Sequence, residues 1–464
     1  MDQKQTTIAS TAATRRDFIK KTATAAAAVA TTSFLRTPVY GQNQAPSANV
    51  AGANNRITVG YIGVGSQGLG SHVSIMKAHA AENNIAQAAV CDVWPKRVDA
   101  AKVFIEKDNA GAKVETFGDY RKLIERKDID TVVIATHDPI HAAAIMAAME
   151  AGKHVYCEKP MTRYLDEAFQ VYDVVKKTGK VLQIGSQGCS AAGWHKAAEL
   201  IQAGKIGQLV WGFGSFCRNN RKGEWNNPID SEATASSVDW ASWLGPVKKR
   251  IPFNADHYFR WRKYYPYCAG LLGDLVPHRL NPLMLAMGKP EFPSRVVSVG
   301  TKNVHTDKNT PGTPERDVPE HLEVLAEFPS GVTLVVVTST VAAKADPFSL
   351  YGHQATLTVG QAGERIELTP QREFADEVDP ESFTGLNPIE DIGVHHKNWL
   401  DCIRTGKQPN CGIELAVRVQ TVISLAELSD RLKITCLFDE KTRKVTTGDG
   451  REVKVPTYGW NELS

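Results

Sequence analysis

From residue 57 onward, apolar residues fall into short, nearly unbroken runs separated by helical patterns. Residues 57–62, 85–93, 131–135, 154–157 and 181–184 predict strands, and residues 69–81 and 140–151 predict helices between them. Strands without polar alternation are covered on both faces, and their alternation with helices predicts a parallel sheet. After Gly185 the pattern changes. Runs at 209–216, 296–304, 322–328, 332–341, 355–359 and 365–368 follow one another with few helices between them, and Pro329-Ser330-Gly331 reads as a hairpin turn. These runs predict an open, mostly antiparallel sheet with one face packed on helices, and residues 394–404 and 413–432 carry helical periodicity near the end of the chain.

The first 56 residues follow neither pattern. Thr14-Arg15-Arg16-Asp17-Phe18-Ile19-Lys20 precedes an apolar, alanine-rich stretch over 22–35, which is too short to span a bilayer comfortably. Val39-Tyr40-Gly41 places small residues where a signal peptidase needs them. The expectation is a twin-arginine export signal over 1–41, a flexible linker over 42–56, and a periplasmic or secreted protein whose export partner is the twin-arginine translocase. No cysteine lies near the cleavage point, so no stable membrane anchor is expected.

Composition narrows the picture slightly. In 464 residues, 23% are charged and 42% hydrophobic, as in a soluble globular protein, and a net charge of +3 gives no reason to expect nucleic acid. Lys248-Lys249-Arg250 reads as a solvated face. The eight cysteines include no CxxC pair, so no metal site is expected. Cys91 and Cys157 fall in strand runs and read as buried thiols, whereas Cys402 and Cys411 could pair in an oxidising compartment.

Candidate chemistry begins at Gly63-Val64-Gly65-Ser66-Gln67-Gly68, which follows a strand and opens a helix. In that context the glycines form a dinucleotide fingerprint. Gly63 permits the tight turn, Gly65 lets the backbone approach a pyrophosphate, and Gly68 lets the helix pack on the strand, while the helix N-terminus offers amides to the phosphates. Asp92 ends the second strand, about twenty residues on, where a carboxylate accepts hydrogen bonds from ribose hydroxyls and repels a 2′-phosphate. NAD is therefore the expected cofactor, with Lys96 and Arg97 leaving NADP open. The predicted fold is α/β: a Rossmann dinucleotide-binding domain over 57–185 and an α+β domain with an open, mostly antiparallel sheet over 186–464.

Further along, Ala151-Gly152-Lys153-His154-Val155 leads to Glu158-Lys159-Pro160, and Gly273-Asp274-Leu275-Val276-Pro277-His278 follows in the second part. With the glycine loop, Ala135-Thr136 through His141, and Gly185-Ser186-Gln187, these segments resemble the Gfo/Idh/MocA oxidoreductases across nearly all of the chain beyond the leader. The resemblance implies a catalytic set of Lys159, Asp274 and His278. It also implies a cofactor site of Gly63, Gly65, Ser66, Gln67, Gly68, Asp92, Thr136, His141, Glu158 and Gln187. Oxidising a sugar alcohol removes a hydride from carbon and a proton from oxygen. Histidine is suited to take that proton, lysine to stabilise alkoxide charge, and a carboxylate to orient the imidazole.

Two departures from the family pattern stand out. His137 occupies the place where a proline usually follows the threonine, and Pro277 and Pro282 allow only a first-turn or broken helix around Asp274 and His278. Arg260-Trp261-Arg262 with Tyr264 and Tyr265 is a candidate sugar-pocket lining, Trp240 and Trp243 read as core, and His395 and His396 read as a helix surface. The expected function is an exported NAD-dependent oxidoreductase acting on a sugar or polyol. NAD-assisted glycoside cleavage and non-catalytic sugar or cofactor binding are the alternatives. An apolar sheet face would favour a homo-oligomer.

Overall fold

The computed structural model describes residues 55–459, apart from 108, 110, 112, 307, 313, 361–362 and 388–390. The export signal assigned to 1–41, and nearly all of the linker after it, lie outside the described residues.

Six strands form the first sheet: β1 (Ile57–Ile62), β2 (Ile85–Cys91), β3 (Glu115–Phe117), β4 (Thr131–Ile134), β5 (His154–Glu158) and β6 (Leu182–Gly185). Their order is β3-β2-β1-β4-β5-β6 and every pair is parallel. The direction of winding reverses between β1 and β4, so the loops leaving the carboxyl ends of these strands open a crevice. The helix expected over 69–81 begins as a π-helical turn, Gly68–Val73, before continuing as Ser74–Ala78. The helix expected from 140 begins earlier, as Asp138–Glu150, because Pro139 sits in its first turn, where a missing N–H breaks no helical bond. The helices Pro95–Glu106 and Leu165–Thr178 complete the layers on this sheet.

The second sheet has eleven strands: β7 (Leu209–Cys217), β8 (Arg295–Thr301), β9 (His321–Glu327), β10 (Thr333–Ser339), β11 (Phe348–Gly352), β12 (Ala355–Val359), β13 (Arg365–Pro370), β14 (Glu381–Thr384), β15 (Cys436–Asp439), β16 (Lys444–Thr447) and β17 (Glu452–Val453). Their order is β14-β13-β12-β11-β7-β10-β9-β8-β15-β16-β17, and β7 with β10 is the parallel exception to an antiparallel sheet. The hairpin turn lies where the sequence placed it. Gly331 has φ +84°, and the Phe328 N–H donates to the Val332 carbonyl at 3.0 Å. β11, β14 and the three C-terminal strands have no counterpart among the predicted runs. Leu322, Val324, Leu334 and Val336 face the core, while Val299, Leu325 and Val210 are exposed on the sheet.

The helix Ile413–Leu432 joins the two parts. It packs against β8 and against Leu165–Thr178. Arg163 crosses to it with a buried two-point ion pair, Nη1 to Glu427 Oε2 at 2.7 Å and Nη2 to Oε1 at 2.8 Å. The helix Ile392–Thr405 also belongs with the first sheet, because Trp399, Leu400 and Ile403 pack in one cluster with Ile57, Val59 and Met76. His395 and His396 lie on that stripe and are fully buried, not on a helix surface as the sequence suggested. Cys402 and Cys411 do not pair. All eight thiols are free, with Cys402 Sγ 3.4 Å from the Gln408 carbonyl and Cys411 Sγ 3.4 Å from Asn281 Oδ1.

Candidate active site

The nucleotide side of the crevice is built chiefly from backbone. Gly63 turns the chain after β1 with φ +84°, and a Cβ there would stand 2.8 Å from the Ala135 carbonyl. A Cβ on Gly68 would lie 2.0 Å from the Gly63 oxygen, so this position holds the helix against the strand without itself lining the cavity. Gly65 is different. A Cβ there would first meet the Arg97 guanidinium, at 3.3 Å, and no backbone within 4 Å, which leaves room for a close approach. Ser66 and Gln67 line the same wall. Asp92 braces this loop: Oδ2 accepts the Val64 N–H at 3.0 Å and Oδ1 accepts the Trp94 N–H at 3.1 Å. Burial pushes its carboxyl above the usual range, opposed by the charge of Arg97. Lys96 turns away to Asp230 and Glu232, at 2.8 and 3.0 Å. Arg97 lies over Trp94, Tyr258 and Phe259.

A cavity of about 1190 Å³ runs from Asp92 past Thr136, Glu158 and Gln187 to Lys159, Asp274 and His278. Lys159, at the end of β5, donates from Nζ to Asp274 Oδ1 at 2.7 Å and to the Asp274 carbonyl at 2.8 Å. The same carboxylate accepts from Arg262 Nε at 3.1 Å and, through Oδ2, from Trp225 Nε1 at 3.0 Å. Burial alone would raise the Asp274 carboxyl, but Lys159 and Arg262 hold it well below the usual range. Pro277 opens a helix as expected, but Pro282 lies inside the unbroken helix Val276–Ala286. Leu271–Asp274 ends before Val276–Ala286 begins with Pro277 in its first turn, so Asp274 and His278 flank a helix break. The ring of His278 stands edge-on to Phe216 at 5.6 Å. Lys159, Arg262 and Trp225 join His278 around Asp274, so the carboxylate that the sequence placed with the imidazole also anchors the lysine.

Glu158 receives Gln67 Nε2 at 3.1 Å and the Lys159 N–H at 3.2 Å. It also meets His72 Nε2 at 2.8 Å, and the Nδ1 of His72 meets His396 Nε2 at 2.9 Å. Against burial, the hydrogen bond and charge of His72 keep the Glu158 carboxyl at about 2. His141 departs from its expected place. It does not line the cavity, and its ring nitrogens reach the Pro160 carbonyl at 2.8 Å and the Thr136 carbonyl at 3.2 Å, tying together the loops after β4 and β5. His72 escaped the sequence reading, as did Trp225 and Arg218. The signal for His72 was its place one helical turn beyond Gly68, whereas nothing local marks Trp225 or Arg218.

Two of the five residues expected to line a sugar pocket do so. Trp261 and Arg262 face the cavity, but Arg260 pairs with Asp256, Tyr264 hydrogen-bonds Asp256, and Tyr265 gives its carbonyl to Arg163. Trp243 is buried as expected and also lines the cavity, stacked between Trp240 and His137 with ring centres 4.5 and 4.1 Å away. Burial, with the nearby charge of His141, holds His137 down to about 3, so it is neutral near pH 7.

Two glycine positions that exclude a Cβ, an acidic residue ending β2 and a long crevice at the strand ends are features that fit a dinucleotide. Comparison with known proteins agrees. The model of an oxidoreductase family's NAD-binding Rossmann fold, Gfo/Idh/MocA, matches residues 57–186, and the model of its C-terminal alpha/beta domain matches residues 246–434. A glycosyl hydrolase family 109 protein of Shewanella pealeana is 26% identical over 52% of this chain and 56% of its own length. An inositol 2-dehydrogenase of Salmonella typhimurium is 30% identical over 34% of this chain and 46% of its own. The chain thus spans about half the length of the curated relatives it matches. Among solved structures, a levoglucosan dehydrogenase in complex with NADH and levoglucosan superposes with a TM-score of 0.62 at 19% identity, covering 82% of this chain and 98% of that one. At that identity the likeness is one of fold.

Proposed function

Because the chain belongs to the Gfo/Idh/MocA oxidoreductase family, we propose that it is an exported oxidoreductase that moves hydride between a sugar or polyol hydroxyl and a tightly held NAD. The observation that carries this reading is the convergence of Lys159, Asp274 and His278 at the end of a crevice whose other end fits a nucleotide. Bound NAD supplies the carbon that accepts the hydride.

The residues of the chain do the rest. Lys159 has three N–H donors and gives two to Asp274, so the third is available to a substrate oxygen as alkoxide charge develops. Asp274 stays ionised and fixes the lysine. His278 Nδ1 is buried, which gives Nε2 the role of taking the hydroxyl proton. Glu158, held by His72 and Gln67, would hold the nicotinamide ribose of a bound cofactor. Thr136 and Gln187 line the same stretch.

The relatives of the glycosyl hydrolase family 109 favour a second reading, in which the same oxidation starts elimination of a glycoside and the hydride is then returned. A non-catalytic binding protein would have no need for the Lys159 and His278 pair. Export rests on the twin-arginine pattern at 14–20. Free NAD is not expected to be renewed outside the cytoplasm, so the cofactor is held and reoxidised in place by a second substrate or by return of the hydride. Exposed Val299, Leu325 and Val210 on the second sheet support a homo-oligomer that covers this face. The deciding experiment is to purify the exported protein, identify any bound nucleotide by mass, and follow its reduction by a panel of sugars and glycosides. Absence of nucleotide, with none taken up on addition, overturns the proposal.

A further inference from the structure

Beyond Glu158, the described cavity wall carries three cations, Lys159, Arg218 and Arg262, against one carboxylate, Asp274. Lys159 is matched to Asp274 at 2.7 Å. Arg218 meets Glu224 at 2.8 Å and stands 3.7 Å from Asp274. Arg262 touches Asp274 only through Nε, at 3.1 Å. Its two terminal nitrogens make no hydrogen bond among the described residues. The guanidinium is nevertheless fixed, lying over Trp261 with its centre 4.2 Å from the ring centre. With Glu224 matching Arg218, Asp274 is left to answer both Lys159 and Arg262, and burial pushes the carboxyl of nearby Asp138 toward its neutral form.

The surplus matters once a ligand fills the site. Water around the free end of Arg262 is then displaced, and charged N–H groups left without acceptors in a dry site are costly. Sugar hydroxyls offer only neutral acceptors. A carboxylate offers a charge-assisted, two-point bond that matches the guanidinium fork. Arg262 and Lys159 touch the same oxygen of Asp274, so an acid group on the first and a reacting hydroxyl on the second fit within one sugar ring. We propose, resting on the oxidoreductase reading above, that the substrate is an acidic sugar whose carboxylate is held by the terminal nitrogens of Arg262, with Arg218 alongside.

The test uses the NAD-loaded protein and matched probes: methyl glucuronide against methyl glucoside, methyl galacturonide against methyl galactoside, and glucose 6-sulfate as a non-carboxylate anion. Calorimetric binding and reduction of the held nicotinamide are measured at low and high salt. At least one uronide is expected to bind about tenfold or more tightly than its neutral partner, a difference of about 1.4 kcal/mol. The preference should shrink with salt, fall toward unity in Arg262→Gln and survive in part in Arg262→Lys. Neutral glycosides binding as well as both acids, or an acid preference unchanged in Arg262→Gln, overturns the inference. Sulfate matching the favoured uronide overturns the assignment to a carboxylate. Acid binding that depends on Arg262 without any nicotinamide reduction supports the acidic ligand and defeats the oxidoreductase reading. Reduction by neutral sugars alone does the reverse.

Discussion

The nucleotide end and the substrate end of the cavity are made of different material. At the nucleotide end, Gly63 and Gly68 act by what they lack, and Asp92 holds the loop through backbone amides. At the substrate end, long charged side chains from distant elements meet, with Lys159 and Asp274 joined across 115 residues of chain. The first end is rigid because backbone packs on backbone there, with Gly63 against Ala135 and Asp92 bonded to the Val64 amide. The second is rigid only while each charge keeps its partner. Damage at the nucleotide end should therefore cost binding and folding together, whereas damage at the substrate end should cost turnover.

The sharpest contrast comes from one substitution at each end. Lys159→Ala should lower kcat by about 10²–10³-fold while NAD stays bound, because removing one donor to a developing oxyanion costs on that scale. Steady-state rates and nucleotide content measured on one preparation check both halves. Gly68→Val should lose NAD and stability together, since even a Cβ would meet the Gly63 oxygen at 2.0 Å. A Gly68→Val protein that folds and holds NAD would break the comparison.

The joint between the two parts comes next. Glu427→Gln leaves the buried Arg163 guanidinium without its counter-charge, and loss of one partner of such a pair costs about 3–5 kcal/mol. Urea unfolding should show it.

Acid sensitivity is spread more thinly. Burial holds His137 and His154 at about 3 against an ordinary 6.5, so below pH 6.5 the unfolded chain binds protons that the folded one refuses. Their contribution is full above that pH and is lost as pH falls toward 3, at up to about 1.4 kcal/mol per unit for each group. Glu158, at about 2, adds a loss of the same sign below its ordinary 4.5. Glu167, raised by burial to about 7, acts the other way, binding its proton in the folded state between 4.5 and 7. The net expectation is falling stability on acidification, steepest below pH 4.5, measured by thermal unfolding across pH.

The smallest effect belongs to Asp92. Asp92→Ser should narrow the preference for NAD over NADP by about tenfold, or about 1.4 kcal/mol, as read by competitive binding. Lys96 is already engaged by Asp230 and Glu232, and this limits its help to a 2′-phosphate.

The same contrast governs what the sequence disclosed. The glycine loop, Asp92 and the parallel strands are local patterns, and they are found where the periodicity placed them. Pro277 likewise announced the helix start before His278, whereas Pro282 sits inside that helix without breaking it. His396 was misplaced because its helix packs back on a sheet more than two hundred residues earlier. The stripe of Trp399, Leu400 and Ile403 that buries it was nevertheless there to be read. Trp225 and Arg218 reach Asp274 from a loop with no periodicity, so only the folded chain shows them. His141 shows a subtler limit. The motif placed it near the cofactor, but its two carbonyl contacts make it a brace behind the wall.

The most direct test of a held-cofactor oxidoreductase follows the nicotinamide itself through turnover. Protein purified with its nucleotide is given a reducing sugar substrate, and the reduced nicotinamide is quantified before and after gel filtration, in wild type and in Lys159→Ala. The account predicts at most one reduced nicotinamide per active site, eluting with the protein, and formed about 10²–10³-fold more slowly in Lys159→Ala. Free NADH accumulating with every turnover, or reduction at an equal rate in Lys159→Ala, would contradict it.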